Sequence, residues 1–450
     1  DAPNKRLPAY WSVGQFYALL AEGATRMDTF YISFGVEVFG ISEPRAREFG
    51  DEIRKVRPFF PLLAQTRRPD GRIAFINPWC EWVMNPAPHR LPPNHEGYGY
   101  YRQYGAPFDG QWPHENRRML AYELFHRAMR DVDQVDEQLF CEQNIHRDVV
   151  VVTDCRFLMQ RTMDRLTAFV ERGGVLVLDC QPSRNESGEE TQFVAHLTAA
   201  GADEAVAVAP GMCCRRYRHG EGAVLQFSCS LQEAYGDALE SGRRGLTPRL
   251  EQGLAKLLRR TGAAPRWRVS RGDFDAAPRL APGVCLVPVA NLGDGPATAT
   301  VTLTELPFVP AVAADLTDGA FLELRRADAE VSFEVSLDRY RGSLMALWPD
   351  HPQHCDVQVD PVLVAAGQPL RARIALSGSD GPARGCFVVE LSVTDPAGFA
   401  HKPLGGPIVV RDGVVAIDRV LPINALLGTW TIVVSDALFG LQASAGFEVA

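Results

Sequence analysis

The chain has 450 residues, enough for three or four domains that each bury a core. Its 46% hydrophobic and 22% charged residues are ordinary for globular protein, and no apolar run is long enough to span a bilayer, so no membrane is expected. A net charge of −9, with arginines scattered rather than blocked, argues against nucleic acid as a partner. Asp1–Arg6 is polar and no apolar leader segment follows it. The ten cysteines have no paired spacing beyond the vicinal Cys213-Cys214, which suits reduced, buried thiols and leans toward a cytoplasmic setting.

Ser12 and Gln15 make a capping-box pattern, and Val13, Phe16, Tyr17 and Leu20 share one face, so a helix is predicted over Ser12–Glu22. Thr29–Phe34 reads as a strand, and Ser42–Arg57 as a second helix with Ala46, Phe49, Ile53 and Val56 inward. A single strand between two helices leaves an edge that something must cover. The segment is either a terminal extension packed on another domain or the end of a βα barrel.

Arg72–Asn77 is the first strand of a central domain. A long loop, Pro78–Glu115, is followed by a helix at Asn116–Arg130 and a strand at Val132–Leu139 whose acidic residues read as solvated. Val149–Val152 and Val175–Leu178 are unbroken apolar runs, as in strands covered on both faces. Between them Met163, Leu166, Phe169 and Val170 fall at helical spacing, with Gly173-Gly174 as the stop. Strand, helix and strand in this space make a βαβ crossover and require a parallel sheet. Glu189–Ala200 is predicted helical, Gly222–Phe227 a late strand, and Thr247-Pro248 opens a helix carrying Leu250, Leu254, Leu257 and Leu258.

After Ala263 the period changes from 3.6 to two. Val301 and Leu303 alternate with threonines, and Phe333, Val335 and Leu337 with Glu and Ser, predicting a β-sandwich that ends near Trp348-Pro349. Asp350–His354 reads as a linker. A second sandwich follows, with Leu370, Ala372, Ile374 and Leu376 on one inner face, Phe387, Val389, Leu391 and Val393 on another, and Trp430 in its core.

Three candidate chemistries arise. A cysteine nucleophile needs a strained elbow with small flanking residues and a histidine base; Cys155 and Cys180 have no glycine flanks, and Pro182 obstructs a helix start, so both read as structural thiols. His89, His95 and His114 lie in the loop without ligand spacing and His351 and His354 in the linker, so no metal site is expected. The loop Pro78–Glu115 is too long for an idle connection and follows the first strand, at the edge where open α/β sheets place ligands. Its Trp79, Trp82, Tyr98, Tyr100, Tyr101, Tyr104, Phe108 and Trp112, with Glu81, suit the apolar faces and hydroxyls of a sugar. The same composition suits a subunit interface.

The order of parts resembles that of bacterial β-galactosidases of glycoside hydrolase family forty-two over roughly Ser12–Pro349. Arg72–Ile76, Trp79–Trp82, Val132–Glu137, Asp148–Val152 and Phe169–Val177 are similar to that family's trimerisation domain, itself similar to class I glutamine amidotransferases. Leu20–Ala24 and Thr29–Phe34 look like the last strand region of its catalytic barrel. The resemblance implies a multidomain α/β plus all-β protein. Apart from 354–450, which looks like an immunoglobulin-like or macroglobulin-like module that the family does not usually carry, the parts it implies would be a (β/α) barrel end at 1–67, a flavodoxin-like domain at 68–262 and a β-sandwich at 263–350. It also implies a carbohydrate substrate, a homo-oligomer, no cofactor, and retaining β-glycosidase chemistry. In such barrels the catalytic carboxylates stand on strands four and seven. Only an eighth strand can be placed here, so both are expected before Asp1. An upstream barrel segment or a partner chain would supply them, and the chain alone is expected to be inactive. Glu37, just past that strand, and Trp79, Glu81, Trp82 and Trp112 are then the expected substrate-facing residues. A non-catalytic scaffold protein is the rival reading.

Overall fold

Residues 13–21, 43–84, 114–143, 147–240 and 246–450 are described by a computed structural model. The expected strand at Thr29–Phe34 lies outside them. By contacts the chain forms two units, one of Asp1–Pro69 with Val269–Ala450 and one of Asp70–Arg268.

In the first unit, helices α1 (Val13–Ala21) and α2 (Glu43–Val56) occupy the positions their periodicity predicts. Phe16 and Tyr17 of α1 are buried in one core with Val284, Leu286 and Leu344. These come from a sheet in which Val284–Asn291 pairs antiparallel with Gly342–Trp348 and Arg279–Ala281. Val284–Asn291 is buried at every position, as a strand covered on both sides must be. Gly342 is required here, because a Cβ on it would stand 2.3 Å from the Tyr17 ring. Tyr17 donates its hydroxyl to the buried Glu52 carboxylate of α2 at 2.9 Å, tying the helices together. Ala297–Thr304 and Glu330–Leu337 pair antiparallel with the predicted alternation, Val301, Leu303, Phe333 and Val335 being buried.

The last hundred residues make one nine-stranded sheet with two main stretches. His354–Val359, Pro369–Gly378 and Val414–Val420 form one, and Gly406–Arg411, Cys386–Thr394, Gly428–Asp436 and Gln442–Val449 the other. They are joined through the turn at Arg411 and Val414. Trp430 is fully buried and donates Nε1–H to the Leu426 carbonyl at 2.8 Å. The segment read as a linker is not a free spacer. Trp348 donates Nε1–H to the Cys386 carbonyl at 2.7 Å, and a Cβ on Gly283 would lie 2.4 Å from the Gly385 Cα. The two β-rich parts therefore share one core.

In the second unit β1 (Ile73–Asn77), β2 (Val132–Asp136), β3 (Val149–Val152), β4 (Val175–Leu178) and β7 (Gly222–Phe227) are parallel, in the order β2-β1-β3-β4-β7. An antiparallel hairpin, β5 (Ala202–Ala209) and β6 (Met212–His219), extends the sheet beyond β7. Helices cover both faces: α3 (Trp79–Met84), α4 (His114–Met129), α5 (Glu137–Glu142), α6 (Gln160–Glu171), α7 (Phe193–Leu197), α8 (Leu231–Glu240) and α9 (Leu246–Arg260). Alternate residues of each strand enter opposite cores. Ile73, Phe75, Val149, Val151, Val175 and Val177 meet α4, α8 and α9, whereas Ala74, Ile76, Val150, Val152, Leu176 and Leu178 meet α5, α6 and α7. Among the described residues no helix is long and apolar enough to cross a membrane.

Three local readings change. The strand expected over Val132–Leu139 ends at Asp136, because Glu137 turns inward and starts α5. The helix expected over Glu189–Ala200 shrinks to Phe193–Leu197. The Asn185 side-chain oxygen accepts the N–H groups of Ser187 and Glu189, holding a turn in competition with helix. The acidic residues around β2 are not all solvated: Asp131 and Glu137 are buried.

Candidate functional site

In a doubly wound sheet the strand order reverses between β1 and β3, and the crevice beyond their C-terminal ends is where such folds bind ligands. Here carboxylates that follow the strands bind the backbone N–H groups of neighbouring loops. Glu81, on α3 after β1, is 5% exposed. Its Oε2 accepts the N–H groups of Arg156 and Phe157, in the loop after β3, at 2.7 and 2.8 Å. That pair of N–H groups is an anion-binding arrangement already occupied from within. Glu137, after β2, is fully buried and accepts from Cys80 N–H at 2.8 Å and Met159 N–H at 2.7 Å. Burial pushes its carboxyl up, opposed by those bonds.

Asp179, after β4, completes the series. It accepts from Asp154 N–H at 2.8 Å and from Leu231 N–H, at the start of α8, at 2.9 Å. Burial pushes its carboxyl up to about 6 against the pull of both bonds. Three carboxylates thus tie together the loops after all five parallel strands.

The thiols at this edge are in the wrong state for nucleophilic work, which requires thiolate. Burial, then the charge of Asp179, pushes Cys180 well above the ordinary thiol range. Its sulfur faces the Val152 carbonyl at 3.8 Å rather than an imidazole. Cys80 is pushed up to about 12 by burial and by Glu137. Cys155 donates to the Phe157 carbonyl at 2.9 Å.

Of the residues expected to face substrate, Trp79, Glu81 and Trp82 fall on α3, a helix where the sequence suggested a loop. Trp79 is 46% exposed and Glu81 is buried, as residues two apart on a helix face opposite sides. The structure therefore brings Trp79 to the rim of the sheet edge and sends Glu81 beneath it. Glu37, Trp112 and the remaining loop aromatics lie outside the described residues. Glu137 and Asp179 were not singled out in sequence; Asp179 directly follows the apolar strand β4, whereas Glu137 follows the acidic β2 and carries no such signal. A second cluster escaped as well: Glu171, His196 and His219 place ligand atoms within 4.8 Å of one another.

No family model matches the sequence, and no curated protein matches it. Solved structures of glycoside hydrolases are similar at low identity. A catalytic mutant of Gan42B, a GH42 β-galactosidase from G. stearothermophilus, is 14% identical with a TM-score of 0.44, the match covering 68% of this chain and 44% of that one. The β-galactosidase from Bacillus circulans sp. alkalophilus is 13% identical with a TM-score of 0.43, over 68% and 45%. Alpha-L-fucosidase isoenzyme 2 from Paenibacillus thiaminolyticus is 10% identical with a TM-score of 0.44, over 69% and 53%. The chain matches less than half the length of these two β-galactosidases. It is a mixed α/β protein, with a parallel sheet in one unit and β-rich layers in the other.

Proposed function

We propose that this chain is a non-catalytic, assembly-forming part of a carbohydrate-active protein resembling β-galactosidase. The observation that carries the non-catalytic part is the closed sheet edge: Glu81, Glu137 and Asp179 are all engaged by backbone N–H groups, and Cys80 and Cys180 are held protonated. The carbohydrate assignment rests on the order of parts in the sequence and on the aromatic segment that begins at Trp79. In this reading the chain self-associates through the parallel-sheet unit. Trp79 contributes to a sugar-facing or subunit-facing rim, and catalytic carboxylates come from a barrel in the same or another chain.

The test combines three measurements on the 450-residue chain. Nitrophenyl β-galactoside should not be hydrolysed, light scattering should give an oligomer, and calorimetry with galactose or a galactan should give binding that Trp79→Ala weakens. Turnover abolished by replacing a carboxylate of this chain would overturn the non-catalytic assignment. Self-association without sugar binding would favour the scaffold reading.

A further inference from the structure

We propose that Glu171, His196 and His219 form a zinc site. The three residues come from separate elements, the last residue of α6, the short α7 and the last residue of β6. Their ligand atoms lie within 4.8 Å of one another, with His219 Nε2 at 3.8 Å from Glu171 Oε1. The imidazole centroids are 4.9 Å apart and their planes 72° apart. Tetrahedral zinc with bonds of about 2.0–2.1 Å needs donors about 3.3 Å apart. Side-chain rotation of about an ångström closes the difference. Two imidazoles and one carboxylate form a donor set that zinc accepts, with water in the fourth position.

Backbone geometry fixes two of the three ligands. The turn between β6 and β7 is pressed against the end of α6, with Glu221 N–H donating to the Glu171 carbonyl at 3.0 Å and Ala223 N–H to that of Gly174 at 3.2 Å. Gly220 sits at φ +57°, and a Cβ there would lie 2.6 Å from the Glu171 Cα; one on Gly222 would lie 2.2 Å from the Gly174 oxygen. Glycine at both positions lets His219 reach Glu171. His196 is held from the other side by its neighbours Phe193 and Leu197, both buried under α7. The open coordination position fits the adjoining cavity of about 620 Å³, which Glu171 and His196 line together with Asp164, Glu189 and Glu190. Those carboxylates favour a cation over an anion at its mouth. A bound zinc would clip α6, α7 and the β6–β7 turn together.

The experiment is calorimetric titration of the EDTA-stripped, dialysed chain with zinc chloride. One equivalent should bind with micromolar affinity or tighter. His196→Ala and His219→Ala should each weaken binding at least tenfold, and Glu171→Gln should weaken it too, while the melting temperature in EDTA stays at the parent value. Cobalt(II) substituted for zinc should show visible ligand-field bands without a thiolate charge-transfer band, and Cys213→Ser should leave binding unchanged. No zinc binding would mean an ordinary histidine–glutamate ion pair and overturn the proposal. Binding that survives in the double histidine variant, or that disappears with Cys213, would overturn it equally.

Discussion

Single buried charges hold each unit together. Arg279 is 1% exposed, and its guanidinium donates to the Leu20 carbonyl at 3.1 Å and to the Thr66 carbonyl and hydroxyl at 3.2 Å each. Arg279→Ala should cost about 3 kcal/mol or more in urea unfolding, since it opens a cavity and leaves two buried carbonyls without donors. Asp131 has the same standing in the other unit, gripped by Arg266 Nε and Nη2 at 3.0 and 2.9 Å and by Arg72 N–H at 3.1 Å. Asp131→Ala should cost about 3–5 kcal/mol, because a partly buried guanidinium loses its carboxylate. Asp179 controls a pH dependence. Its folded pKa of about 6 lies above the unfolded value near 4. The native state therefore binds the extra proton between those values, and stability falls as pH rises from about 4 through about 6, at up to about 1.4 kcal/mol per unit. Asp179→Asn should flatten that stretch of the urea midpoint against pH, leaving the contributions of Glu137, Glu251, Asp315, Glu390 and Asp436, which burial raises in the same direction. An unchanged slope would assign the effect elsewhere. None of these roles was legible in sequence. Asp131 and Glu137 stand in an acidic run that looks like a solvated strand face. Their partners are N–H groups and a guanidinium brought from up to 135 residues away.

At the scale of elements, legibility followed burial. β1, β3 and β4 were readable because covering both faces of a strand forces every residue to be apolar. Helices α6 and α9 were readable because one buried face imposes its period. The β5–β6 hairpin was missed for the converse reason: Ala202–Ala209 is exposed or half-buried along most of its length, so its pattern carries little information. What fixes β5 is a backbone contact. Gly253 of α9 lies so close to it that a Cβ would stand 2.1 Å from the Val208 oxygen. Gly253→Ala should push helix from strand and cost about 1–3 kcal/mol despite alanine's better helix propensity. Gly211→Ala, in the β5–β6 turn at φ +80° with nothing within 4 Å, should cost about 1 kcal/mol for its backbone conformation alone. Urea midpoints of the two variants separate crowding from strain. Equal losses would mean that α9 moves freely over β5.

On the scale of the whole molecule, the change of period near Ala263 announced the passage from α/β to all-β. Sequence could not show that α1 shares a core with strands more than 300 residues away. Tyr17 packing on Gly342 is a steric match between distant positions, and no local pattern encodes it. The consequence is thermodynamic. Among the described residues, Phe16, Tyr17, Val284, Trp348, Phe387 and Trp430 pack in one cluster, and the residues on the two faces of the parallel sheet in two others. Clusters built from different elements need not melt together, and chains of this size commonly depart from two-state unfolding. Scanning calorimetry should therefore resolve two transitions. Arg279→Ala should lower one of them, and Asp131→Ala and Gly253→Ala the other. Because α1 and the final β strands lie in the same core, Trp430→Ala should shift the transition that Arg279→Ala shifts, by about 3–5 kcal/mol. A single transition lowered by all four variants would show that the two units unfold as one. Trp430→Ala moving a third transition, untouched by Arg279→Ala, would show that the last sandwich is stable apart from the core containing Tyr17.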